Sequence, residues 1–185
     1  MEKPGSNSGD WAGNYSADPR ESFAMLYKQY LPKVFRYVSY KVGNTSVAED
    51  LTSNVFEKAL VSFSRYRSDK AAFSTWLFSI ARHTMADYFK VNRKRVTIPL
   101  DFIADTSEED NPEDTLSKKE ELQRLHVFLS QLSPQEQEII SLKFGAEVTN
   151  RQIAGMLKLS ESNVGVIVYR AVHKLRINFR GRQDG

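Results

Sequence analysis

Apolar residues recur at helical spacing in two long stretches of the chain, separated by a polar, acidic interval. The C-terminal stretch is the sharper. Leu116, Leu122, Leu125, Phe128, Leu129 and Leu132 keep helical spacing up to Ser133-Pro134-Gln135-Glu136, which reads as a helix start. Serine accepts from an exposed backbone N–H, glutamate three residues on reaches back, and proline fits the first turn. Ile139, Ile140, Leu142 and Phe144 follow, and Gly145 ends the run. Thr149 to Ala154 opens a short helix carrying Ile153, Ala154 and Leu157. Leu159-Ser160 makes a turn with Ser160 as cap, and a third helix places Val164, Ile167, Val168, Ala171 and Leu175 on one face.

The N-terminal stretch begins at Asp18-Pro19-Arg20-Glu21, a helix start with Asp18 as cap, followed by Phe23, Leu26, Tyr27, Tyr30 and Leu31. Pro32 either kinks this helix or begins a new one carrying Val34, Phe35 and Val38, and Gly43-Asn44 stops it. Ser46-Val47-Ala48-Glu49 has the form of a capping box for a helix over roughly 47–63, with Leu51, Val55, Phe56, Ala59 and Leu60 inward. A basic turn from Arg65 to Lys70 leads to a long helix over about 71–92. Its apolar stripe is regular: Phe73, Trp76, Leu77, Ile80, Ala81, Thr84 and Tyr88. The fold class is therefore all-α. A polar tail (1–17) that reads as disordered precedes a first helical domain (18–95); a flexible acidic linker (96–115) joins it to a second (116–182).

Charge adds to this division. From Val61 to Leu100, Arg65, Arg67, Lys70, Arg82, Lys90, Arg93, Lys94 and Arg95 oppose only Asp69 and Asp87. From Asp101 to Glu121 acids dominate, and from Lys143 onward the chain is basic again. Two polyanion-facing surfaces joined by a solvated connector fit that order, although the formal net charge is only +3. The absence of cysteine excludes disulfides and thiolate metal sites. No apolar run approaches the roughly 20 residues that span a bilayer, and the N-terminus lacks the pattern of a signal peptide.

Two short helices joined by a tight turn, the second rich in basic residues, are the pattern of a helix-turn-helix DNA reader. On the outward face of the last helix Ser162, Asn163, Gly165, Val166 and Tyr169 come first, and only Asn163 can pair bidentately with a base edge. Arg170, His173, Lys174 and Arg176 come later, where phosphate contact is natural. The 65–95 segment interleaves Tyr66, Phe73, Trp76, Phe78, Tyr88 and Phe89 with cations, a mix suited to unpaired bases. Phe73, Trp76 and Tyr88 read as core, whereas Tyr66, Arg82 and Arg93-Lys94-Arg95 are harder to explain by packing. Ala48 to Phe56 is an amphipathic helix whose exposed edge could dock a partner helix. There is no Gly-rich phosphate loop, nucleophile elbow or zinc-protease motif; His83 and Asp87, four apart, are two ligands and not a metal site.

Ala48-Glu49-Asp50-Leu51-Thr52 with Val55-Phe56, then Phe73 to Arg82, Leu132 to Glu136 and Arg170 to Arg176 together resemble a bacterial sigma factor. The resemblance is to the extracytoplasmic-function (ECF) group, the two-domain minimal form of the housekeeping sigma family, and covers roughly Pro19 to Arg182. It implies that the first domain is sigma region 2 and binds the clamp helices of core RNA polymerase through Asp50, Leu51, Thr52, Val55 and Phe56. It implies that Arg65, Tyr66, Arg67, Ser68, Arg82, His83, Lys90, Arg93 and Arg95 melt and read the promoter −10 element. The second domain, region 4, would read the −35 element through Thr149, Ser160, Ser162, Asn163, Val166, Arg170 and Lys174. Two places depart from the group: His83 stands where asparagine is usual, and Gly165, Val166 and Ile167 where lysine, serine and arginine are frequent.

The function so implied is that of a sigma factor directing core RNA polymerase to specific promoters, without enzymatic activity, cofactor, metal or small-molecule substrate. Expected partners are core polymerase, promoter DNA and an anti-sigma factor. The expected location is the bacterial cytoplasm without membrane insertion, or the membrane face when an anti-sigma factor holds it there. The alternative is a free-standing helix-turn-helix regulator whose N-terminal domain senses a ligand or dimerises.

Overall fold

The computed structural model describes residues 19–95 and 123–180, and the regular structure among them is helical. The expected tail and linker, Asp18, and the leucines Leu116 and Leu122 lie outside these residues. Helix α1 (Pro19–Val42) runs through Pro32 without interruption, so no new helix begins there. The proline ring removes one backbone bond, while Leu26, Val34, Tyr37 and Val38 around it are buried. Gly43 ends the helix at φ +66°, where a Cβ would stand 2.5 Å from Cγ of His126. Helix α2 (Thr45–Ser62) is capped by Asn44 and not by the expected Ser46. Asn44 follows Gly43 in an extended conformation, and its Oδ1 accepts from the backbone N–H of Val47 at 3.0 Å.

Leu51, Val55, Phe56 and Ala59 of α2 face inward as the periodicity predicts, but Leu60 is 55% exposed. Phe63, from the 3-10 turn Phe63–Arg65 that follows, covers that end of the core instead, with its ring 5.1 Å from Phe23. Helix α3 (Phe73–Arg95) completes the first bundle with Phe73, Leu77, Phe78, Ala81 and Met85 buried. Lys58 ties α2 to α3 through the Thr84 hydroxyl at 3.1 Å.

The second bundle comprises α4 (123–129), α5 (Pro134–Ile140), α6 (Asn150–Leu157) and α7 (Glu161–Arg180). Ser133 caps α5 with both bonds of the capping box in place, as the sequence predicts, and Thr149 with Gln152 repeats the arrangement on α6. Helix α5 widens into a π turn, Ser141–Gly145, which the apolar spacing did not announce. The wider turn rotates Phe144 off the buried face, leaving it 48% exposed, and carries Gly145 inward. Leu129, Leu132, Ile140 and Ala171 form a local core.

The two bundles pack against each other. Ile139, Leu142, Ala146, Val148, Ile153 and Val164 share one buried cluster with Val34, Tyr37 and Leu77. Helix α1 is the common wall, lying on α2 and α3 on one side and on the π turn on the other. Backbone approach there is close: a Cβ on Gly145 would sit 3.0 Å from the backbone N and Cα of Tyr37.

Candidate nucleic-acid interface

The helix-turn-helix is built from α6 and α7. Lys158 closes α6 in the left-handed region (φ +56°), and Leu159 N–H returns to the Ala154 carbonyl at 3.0 Å. Ser160 then caps α7, its Oγ accepting from Asn163 N–H at 3.2 Å. Val164 and Ala171 are fully buried beneath α7, with Ile167, Val168 and Leu175 half-buried beside them. Ser162, Asn163, Val166, Tyr169, Arg170 and His173 are exposed together on the other side, and the space a Cβ on Gly165 would enter is open to within 3.8 Å of Asn150. The Tyr169 and His173 rings stack on this face at 6.2 Å. Thr149 and Ser160 use their hydroxyls as caps, so they present helix N-termini more than side chains. Lys174 is also committed: its Nζ donates to Glu136 Oε1 at 2.6 Å, bracing α7 against α5. That ammonium holds the Glu136 carboxyl below its ordinary range, and the Ser133 backbone N–H adds to the effect.

In the first bundle the basic loop Arg65–Lys70 is exposed except for Tyr66. The structure corrects the expectation that Tyr66 resists a packing explanation. Its ring lies 5.0 Å from Trp76 and 5.5 Å from Phe73, and its hydroxyl donates to the Ala71 carbonyl at 3.0 Å. A ring held this way anchors the loop. Arg67 grips Asp69 bidentately at 2.9 and 2.8 Å, which lowers the Asp69 carboxyl. Arg65, Ser68, His83 and Lys90 are exposed. The His83 ring donates through Nδ1 to the Ser79 carbonyl at 2.7 Å, leaving Nε2 outward. Arg93 and Arg95 belong to the last turn of α3, and their side chains lie outside the described residues.

Among the residues expected to touch polymerase, Asp50 is exposed on α2, whereas Leu51, Thr52, Val55 and Phe56 are buried. Those four face the first bundle's own core, and Thr52 donates to the Ala48 carbonyl at 2.6 Å. The outward edge of α2 is Glu49, Asp50, Ser53, Asn54 and Glu57. Beside it runs an open groove of about 370 Å³, lined by Leu31, Pro32 and Phe35 of α1 and by Glu49, Thr52 and Ser53.

Arg82 is the clearest surprise. Its Nε donates to Glu138 Oε1 at 3.0 Å and one terminal nitrogen donates to the Met156 carbonyl at 3.1 Å, both in the second bundle. Glu138 also accepts from the Tyr37 hydroxyl at 3.0 Å and pairs with Lys41. Burial, reinforced by the Glu138 carboxylate, holds the Tyr37 phenol well above its ordinary pKa, so it stays a donor. Glu147 pairs with Lys33 at 2.8 Å and with Arg36, while Gln152 reaches Ser74 at 3.1 Å. The sequence reading missed Glu138, Gly145 and Glu147. The available signal was the basic series Lys33, Arg36 and Lys41 on α1, positions that needed acids opposite.

Comparison with known families falls on the same two units. The Sigma-70 region 2 model matches residues 26–95 and the Sigma-70, region 4 model matches 128–176, together more than half of the chain. The chain belongs to the sigma-70 family. Relatives place this sigma factor in the ECF group. It is 34% identical over 160 residues to the ECF sigma factor BldN of Streptomyces coelicolor, a match taking in 86% of this chain and 61% of BldN. It is 26% identical over 162 residues to SigM of Bacillus subtilis, covering 86% of this chain and 96% of SigM. The fold is shared with RpoE of Bartonella quintana, solved with the anti-sigma factor NepR (TM-score 0.67, 18% identity, 86% of this chain and 98% of that one). It is shared also with CnrH, solved with the cytosolic domain of CnrY (TM-score 0.64, 19% identity, 88% and 90%). The region 2 match assigns the N-terminal bundle to a sigma region and not to a sensing domain.

Proposed function

We propose that this sigma factor directs core RNA polymerase to specific promoters through three surfaces, with no catalysis of its own. The observation that carries the reading is a helix-turn-helix and an aromatic-basic helix on two bundles that match sigma regions 4 and 2 in that role. Residues 18–95 act as the unit that opens DNA, 116–182 as the unit that grips duplex, and 96–115 as their connection. In region 4, Asn163 and Val166 lie where α7 enters the major groove, with asparagine suited to adenine and valine to a thymine methyl. Arg170 and the N-termini of α6 and α7 contact phosphate. In region 2, Arg65, Arg67, Ser68, His83, Lys90, Arg93 and Arg95 line the path of the −10 strand, with Tyr66 holding the loop in place. Asp50 and the acidic edge of α2, beside the 370 Å³ groove, dock the polymerase clamp helices.

The site of action is the cytoplasm, where core polymerase works; no helix among the described residues is long and apolar enough to cross a membrane. Control by an anti-sigma factor is part of the proposal, supported by the two solved relatives, one in complex with the anti-sigma factor NepR and one with the cytosolic domain of CnrY. Co-purification with core polymerase tests the reading. The full chain is expected to bind core enzyme, and Asp50→Ala to reduce that binding severalfold. Tight binding of the chain alone to a promoter duplex, with none to polymerase, overturns it.

A further inference from the structure

We propose that the Glu138 carboxylate is an intramolecular latch: it holds region 4 against region 2 and occupies Arg82 in place of promoter phosphate. Both carboxylate oxygens are used. Oε1 accepts from Tyr37 and Arg82, and Oε2 pairs with Lys41. Glu138 and Lys41 side chains are each only 14% exposed, so water competes weakly for these contacts. The Met156 carbonyl takes a further Arg82 donor, so the guanidinium is bound to region 4 at two points. One carboxylate oxygen and one carbonyl oxygen thus take Arg82 donors that a phosphate's oxygens would otherwise accept from. This deepens the function proposed above, and its masking half rests on Arg82 being a strand contact.

Geometry makes the closed form incompatible with promoter binding. Helix α3 touches α6, and α6 touches α7. Two successive helix packings put the recognition helix within ~20 Å of α3. Elements centred about 25 base pairs apart lie ~85 Å apart along B-form DNA, at ~3.4 Å per base pair. Region 4 must therefore leave region 2 before both elements can be held. Release has to part the apolar cluster that joins Val34 to Leu142 and Ile153 as well as the polar latch, and the closest backbone approach depends on one residue. Gly145 lets the π turn lie on Tyr37, where a Cβ would meet backbone atoms at 3.0 Å.

The chain has no cysteine, so Asn54→Cys and Arg151→Cys place a spin-label pair across the two regions of the full chain. The parent is expected to show a dominant short distance. Glu138→Gln removes the charge and Gly145→Ala wedges the contact without touching charge; each should add a long, broad population. Binding of a single-stranded −10 oligonucleotide should tighten in both, by about tenfold if one parent molecule in ten is open. A short distance retained in both variants, or a parent already long, overturns the latch. Opening in both without tighter oligonucleotide binding leaves the latch standing and removes Arg82 from the strand path.

Discussion

At the scale of single residues, two positions carry more than their size suggests. Gly43 turns the chain between α1 and α2 at positive φ with His126 against it. Gly43→Ala should lower stability by at least ~1–2 kcal/mol, the cost of a side chain in the left-handed region, before any displacement of His126 is counted. Urea unfolding of the full chain measures it. Glu136 joins the α5 cap to Lys174, and its carboxyl titrates below the ordinary range. A carboxyl depressed in the folded state stabilises above its unfolded pKa of about 4.3 and loses that contribution as pH falls through the folded value. The stability gap between the parent and Glu136→Gln should thus be largest near neutrality and close in acid below about pH 4. A gap independent of pH would assign the loss to packing instead.

Among the elements, α7 and α3 divide the work differently from their sequences' first impression. Arg170→Ala should weaken duplex binding by holoenzyme about equally at all sequences and lower the salt slope by about one. Val166→Ala should alter the preferred −35 base with little change in salt slope, read out by selection from a randomised −35 library. Leu77→Ala, at a fully buried position of α3, should cost ~2–5 kcal/mol and abolish function by unfolding region 2. The helices themselves were legible from the sequence. Caps at Ser133, Thr149 and Ser160 and the stripe from Phe73 to Thr84 use local rules that hold within four residues. What periodicity misjudged was set by local departures from a regular α-helix. Phe63 displaced Leu60 from the core, and the π turn turned Phe144 outward. Asp50 lies on the exposed acidic edge of α2, and Leu51, Val55 and Phe56 face inward as their spacing predicts.

On the proposed reading the whole molecule is a two-point promoter reader whose two bundles pack against each other. Its net charge of +3 is low for a protein that grips DNA unaided, which suits a subunit whose affinity comes with polymerase. Interactions between the halves span from 56 positions of sequence, Arg82 to Glu138, to 111, Arg36 to Glu147, and no local pattern foretells them. The claim that joins all scales is that this chain gives core polymerase its promoter choice. Its most direct test is in-vitro transcription with core RNA polymerase and the purified full chain on a pool of genomic promoter fragments, with start sites mapped. Initiation should appear at a small set of fragments sharing −35 and −10 elements, only when the chain is present. Transcription unchanged by adding the chain, while the chain binds polymerase in the same mixture, would contradict the account.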